Sequence, residues 1–227
     1  MRKGVIFDVD GVIVDVSQSY HYAIKHTAEY FLKKEVPIEE VRRIKFSKGI
    51  NNDWLATLEV IKQYGGTADF EELVRVFNDL YRTLRDKERL ILEREFFMRL
   101  REMGCSLGIV TGRPREDLLY LFEKHGLSDC FDFVVDEDTI ENEELRKPHP
   151  YALHLCVEGL GIDRGVYVGD SLADWQMLKD YRKIYDKPLE YIHVGDNVAL
   201  EGVRYIPKHG QTSLLQALIQ ILDLGTG

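Results

Sequence analysis

Four short apolar runs, each ending abruptly in polar residues, constrain this chain more than any other feature. Val5-Ile6-Phe7, with Val9 beyond it, ends in Asp8-Val9-Asp10-Gly11. Leu107-Gly108-Ile109-Val110 leads into Thr111-Gly112-Arg113-Pro114, Phe131–Val135 into Asp136, and Val166-Tyr167-Val168 into Gly169-Asp170-Ser171. Runs this short and this apolar read as strands buried on both faces. Helical patterns with plain stop signals separate them. Phe96, Phe97, Leu100 and Met103 share one helix face ahead of Gly104. Pro114 opens a helix carrying Leu118, Leu119 and Phe122 that stops at Gly126. A further helix runs from Pro150 to Gly159–Gly161. Strands alternating with helices predict an α/β fold with a doubly wound, parallel, Rossmann-like sheet. Such sheets bind ligands beyond the carboxyl ends of their strands, where the polar tetrads fall.

Residues 17–88 break the alternation. Tyr20, Ala23, Ile24, Thr27 and Phe31 follow helical spacing, as do Trp54, Leu55, Leu58 and Ile61, and then Phe70, Leu73, Val74, Phe77, Leu80, Tyr81 and Leu84. Pro37 and Gly65-Gly66 separate these stripes. Asn51 or Asn52 is placed to cap the second helix, and Thr67 or Asp69 to start the third. The expectation is a core of residues 1–16 and 89–227 with an all-helical insertion at 17–88.

Composition excludes several classes. With 30 Lys+Arg against 39 Asp+Glu, the formal charge of −9 disfavours a nucleic-acid or acidic-membrane binder. No apolar run approaches the roughly 18–20 residues that span a bilayer. The opening apolar stretch meets Asp8 too early for a signal-peptide core, so a cytoplasmic protein is expected, as a monomer or homodimer. Cys105, Cys130 and Cys156 lie far apart, which suits reduced thiols better than a zinc site or disulfide framework.

Asp8 and Asp10, two apart at a strand end, face the same way in an extended backbone, and paired carboxylates suit a hard cation. An acidic turn would look the same. Their company weighs toward the cation: Thr111 ends a second strand, Lys147 lies in Arg146-Lys147-Pro148-His149-Pro150 ahead of a helix, and Asp170 and Asp174 lie in Gly169–Asp174 at the end of a third strand. Through Phe7–Asp15, Val110–Arg113, Lys147–Pro150 and Gly169–Asp174, the chain resembles the haloacid dehalogenase-like superfamily. Within it, the match is to the phosphatase-like subfamily with a helical cap inserted after the first motif. Motifs, insertion and alternating core follow the family's order along the whole chain.

The resemblance implies a Mg²⁺-dependent phosphatase for a small phosphate ester. Asp8 would be the nucleophile and Asp10 the general acid and base. Asp8, Asp10 (through its backbone carbonyl) and Asp170 would hold the metal, while Asp174 would hold a metal-bound water or orient Lys147. Thr111 and the Gly112 N–H would bind phosphoryl oxygens, and Lys147 would balance their charge. An acid at Asp10 favours phosphate esters over the family's dehalogenases and phosphonate hydrolases, which lack one there. Val12 and Val16 stand where the family often has Thr and Ser. In capped relatives a loop between early cap helices faces the nucleophile. Here that position is Lys45–Trp54, in which Lys48, Asn51 and Asn52 either read the substrate or are, respectively, a surface charge and helix caps. Arg113 either reaches the substrate anion or is a solvated loop cation. His149 either lines the phosphate pocket or caps the helix at Pro150. Gly195-Asp196, a second Gly-Asp pair, reads as a loop at the next strand end. A phosphomutase on the same scaffold and a non-catalytic phospho-ligand binder are the rival readings.

Overall fold

The computed structural model describes residues 1–47, 50, 52–185, 187–196 and 198–225. In chain order its elements begin with strands β1 (Lys3–Phe7) and β2 (Val14–Asp15). Helices α1 (Tyr20–Leu32), α2 (Ile38–Ser47), α3 (Asp53–Gln63) and α4 (Phe70–Leu84) follow, then β3 (Arg89–Leu90). After these come α5 (Arg94–Glu102), β4 (Cys105–Val110), α6 (Arg115–His125), β5 (Phe133–Val135), α7 (Pro150–Leu160) and β6 (Arg164–Gly169). The chain closes with α8 (Leu172–Ile184), β7 (Leu189–Val194), β8 (Arg204–Ile206) and α9 (Gln211–Leu222). Two compact units result: Met1–Val14 with Leu90–Gly227, and Asp15–Arg89.

The first unit is the parallel α/β core. Its sheet runs β5-β4-β1-β6-β7-β8, and every pair is parallel. The first strand is apolar at consecutive positions because both faces of the sheet are covered. Phe7 meets Phe96 and Phe97 of α5 edge-on, at ring-centroid separations of 6.2 and 5.5 Å. Its neighbour Ile6 belongs to the opposite cluster, with Leu153 and Val157 of α7 and Met177 and Leu178 of α8. Successive side chains in a strand point to opposite faces, so an alternating polar residue here would be buried unpaired. Register also matters. Phe7 sits level with Ile109 on β4 and Val168 on β6, so the segments that follow all emerge at one edge.

The second unit is helical, as its periodicity predicts, but it contains an element that reading did not include: α2, amphipathic and short, with Val41 and Ile44 buried. Two stripes are also shifted. In α3 the buried face is Ala56, Thr57, Val60 and Ile61, and Leu55 is exposed. The small residues Ala56 and Thr57 complete that face, and a reading led by large apolar side chains passes over them. Phe70 likewise lies outside the buried face of α4, which is Leu73, Val76, Phe77, Tyr81 and Leu84. In α6 Leu119 is exposed while Leu118, Leu121 and Phe122 are buried, a one-position slip in helical phase. All three cysteines are buried free thiols. Among the described residues no helix is long and apolar enough to cross a membrane.

Candidate active site

The site forms where β1 lies between β4 and β6. The sheet grows from β1 to β4 and β5 on one side and to β6, β7 and β8 on the other, and ligands of parallel sheets bind beside such a reversal of strand order. Asp8 is the first residue beyond β1, and its N–H still donates to Val168 O at 2.9 Å, so the sheet itself fixes its backbone. Thr111 stands in the equivalent place after β4, with its N–H on Val135 O at 3.0 Å. Asp170 follows β6 directly.

Asp8, Asp170 and Asp174 bring carboxylate oxygens within 4.8 Å of one another. Lys147 enters this group from the segment before α7. Its Nζ lies 2.9 Å from Asp8 Oδ1 and 2.6 Å from Asp174 Oδ1, and all three side chains are buried. Asp8 Oδ1 also accepts the Val9 N–H at 2.8 Å, so two donors hold the plane of the carboxylate. Burial pushes the Asp8 carboxyl up to about 7. The Lys147 ammonium opposes that rise, and the negative Asp174 and Asp10 add to it. Burial alone would lower the Lys147 ammonium, but Asp174 and Asp8 outweigh it and hold the proton on firmly.

Asp174 sits in the first turn of α8, where it forms a reciprocal capping box with Ser171. Its Oδ2 accepts from Asp170 N–H (3.1 Å), Ser171 N–H (3.0 Å) and Ser171 Oγ (2.6 Å). Its Oδ1 accepts from the Tyr167 hydroxyl besides facing Lys147. Burial would raise its carboxyl, but Lys147 and these donors win and keep it below the ordinary range. Tyr167 went unread in the sequence. The available signal was a hydroxyl in the middle of an otherwise apolar buried strand, which needs a partner.

Asp170 owes its position to a glycine. Gly11 has φ +80°, and a Cβ there would lie 1.9 Å from Asp170 Oδ2, so only glycine admits the carboxylate against the first loop. Three carboxylates gathered around one ammonium leave an excess of negative charge in a poorly hydrated place, and hard oxygen donors of this kind suit a divalent cation. The donor set therefore fits a divalent cation of the kind that the resemblance implies. Asp136, at the end of β5, does not join it: Arg115, Thr139 and the Asp138 N–H take up its carboxylate.

The remaining candidates divide. Arg113 is not a solvated cation. Its side chain is wholly buried, and its guanidinium is paired with Asp10, Nη2 to Oδ1 at 2.6 Å, because a cation stripped of water needs a carboxylate within reach. Thr111 is buried with its Oγ accepting the Arg113 N–H at 3.1 Å, and Gly112 beside it is half-buried. His149 caps α7, its Nδ1 accepting the Tyr151 N–H at 3.1 Å. His193 is buried on β7 beside Tyr191, and Gly195-Asp196 follows that strand as a turn. Asn52 caps α3, accepting the Leu55 N–H at 3.0 Å, and Lys45 pairs with Asp53. Lys48 and Asn51 lie outside the described residues.

A family model described as haloacid dehalogenase-like hydrolase matches residues 2–182. The chain belongs to that family and is an enzyme of the hydrolase class. An imidazoleglycerol-phosphate dehydratase of Phytophthora nicotianae is 29% identical over 185 residues, 76% of this chain and 40% of that protein. The pyrophosphatase PpaX of Bacillus pumilus (strain SAFR-032) is 28% identical over 180 residues, 75% of each chain. Among solved structures, phosphatase Tt82 from Thermococcus thioreducens superposes with a TM-score of 0.67 at 27% identity, covering 93% of this chain and 98% of that one.

Proposed function

We propose that the chain is a divalent-metal-dependent phosphomonoester hydrolase acting on a small phosphorylated metabolite through an aspartyl-phosphate on Asp8. The observation that carries this reading is Lys147 set between Asp8 and Asp174 at the sheet edge, 2.9 and 2.6 Å away, with Asp170 alongside. Phosphoryl transfer asks mainly for positioning and charge neutralisation, and this arrangement supplies both. The helical unit Asp15–Arg89 is read as the family's cap.

An Asp8 carboxylate oxygen attacks phosphorus while the ester P–O bond breaks, and Asp10 gives its proton to the departing alkoxide oxygen. In the second half Asp10 takes a proton from water, the water oxygen attacks phosphorus, and the acyl P–O bond breaks. Phosphate leaves and Asp8 is restored. Thr111 and the Gly112 N–H donate to phosphoryl oxygens, and Lys147 balances their charge beside Asp8. Mg²⁺ is the cation proposed, held by the Asp8 and Asp170 carboxylates and the Asp10 carbonyl. When bound it would offset phosphoryl charge and favour ionised Asp8. Asp174, whose oxygens already meet five donors, the Ser171 N–H of the capping box among them, is assigned to orienting Lys147.

The test is a panel of sugar phosphates, phosphoglycolate, nucleotides and amino-acid phosphates, assayed for phosphate release with and without EDTA. Turnover is expected on at least one small ester, lost with EDTA and in Asp8→Asn. Undiminished turnover in Asp8→Asn would refute the nucleophile. Transfer of the phosphoryl group to a second sugar hydroxyl in place of water would make the enzyme a mutase.

A further inference from the structure

Arg113 lies two residues past Thr111 and takes no part in the phosphoryl-transfer steps proposed above. Its side chain is 0% exposed, yet it meets Asp10, 28% exposed, through two donors on one oxygen: Nε at 3.0 Å and Nη2 at 2.6 Å from Oδ1. Its backbone is tied at both ends, the N–H to Thr111 Oγ1 at 3.1 Å and the carbonyl to Glu137 N–H at 3.1 Å. Asp10 in turn begins a tight turn in which Gly11 N–H donates to Val14 O at 2.8 Å. A planar guanidinium with two donors on one carboxylate oxygen restrains that carboxylate's rotation in a way that a single ammonium does not.

We propose that Arg113 is a positioning residue for Asp10. It holds Oδ1, and neither of these two bonds to Asp10 engages Oδ2, which is the oxygen that exchanges a proton with the leaving group and with water. The loop after β4 thereby sets the geometry of an acid carried by the loop after β1. This inference rests on the reading of Asp10 as general acid and base. Arg113 acts on the proton transfer and does not touch the substrate.

A structural role and a positioning role part company over the leaving group. An alkoxide needs a proton as it departs, whereas p-nitrophenolate leaves without one, and kcat/KM reports the steps through P–O cleavage. Arg113→Met is expected to lower kcat/KM about 10- to 100-fold on the best alkyl phosphate of the panel, since general acid–base help contributes about 10²–10⁴-fold and small misplacements are costly. On p-nitrophenyl phosphate the loss is expected to stay within about threefold. Arg113→Lys, which keeps the charge without the fork, should fall between wild type and Arg113→Met, and it carries the test if the methionine variant does not fold. Equal losses on both esters, or no loss on the alkyl ester, would overturn the proposal. Asp10→Asn, run alongside, should show the same selectivity more strongly. If it does so while both Arg113 variants do not, only the role of Arg113 falls. If Asp10→Asn loses both activities equally, the acid reading of Asp10 falls and this inference with it.

Discussion

Replacing Asp8 by asparagine should abolish turnover and, in chelator, make the protein more stable. Asp8 is 6% exposed, and burial, opposed by Lys147 and reinforced by Asp174 and Asp10, raises its carboxyl from the ordinary 3.8 to about 7. That rise of about three pH units, at about 1.4 kcal/mol each, corresponds to about 4 kcal/mol at most. The sign follows from proton uptake. Between about pH 4 and 7 the folded chain holds this proton and the unfolded chain has lost it. The stability it confers is therefore complete below about pH 4 and gone above about pH 7. At pH 8 the wild type bears the whole cost of ionising a buried carboxyl, and an asparagine bears none. Urea denaturation in EDTA at pH 8 should place Asp8→Asn about 2–4 kcal/mol above wild type, and the gap should shrink below about 2 kcal/mol at pH 5. Magnesium at about a hundred times its dissociation constant should restore about 2.7 kcal/mol to the wild type and narrow the difference. An asparagine variant no more stable than wild type at pH 8 in chelator would refute the account of burial and charge at this site.

Two further outcomes bear on the residues around it. Gly11→Ala puts a Cβ 1.9 Å from Asp170 Oδ2 at φ +80°. It should cost about 1–2 kcal/mol of backbone strain and lower kcat/KM about 100-fold or more, and near-wild-type kinetics would show that the placement of Asp170 is unimportant. Asn52→Ala removes the cap on α3 and should cost about 0.5–2 kcal/mol in thermal or urea unfolding, with kcat/KM on the best substrate within about twofold. A large rise in KM with unchanged stability would return Asn52 to the substrate.

Much of the architecture was legible because it is written in local pattern. Val5-Ile6-Phe7 is apolar throughout since both of its faces are covered, and Gly126 and Gly161 end their helices in left-handed conformation as glycine allows. The helix α2 escaped notice because only Val41 and Ile44 among its residues are buried, so its stripe is thin. The phase errors at Leu55, Phe70 and Leu119 share one cause: an apolar side chain one step off the buried face still looks like part of it. Among the candidate residues, Asp8, Thr111, Lys147 and Asp170 are legible in the sequence since each sits in a motif beside a strand end or helix start.

What the sequence determined by itself is the list of chemical groups and the strand ends that carry them, because burial periodicity and glycine or proline stops act over a few residues. What only the tertiary structure decided is which groups pair at the carboxyl edge of the sheet. Residues 10 and 113, or 147 and 174, meet because parallel crossovers bring distant strand ends together. No local propensity encodes that Arg113 is stripped of water and paired with Asp10 or that Tyr167 reaches Asp174. Pairings of that kind depend on sheet order and register, and these are settled only when the core packs.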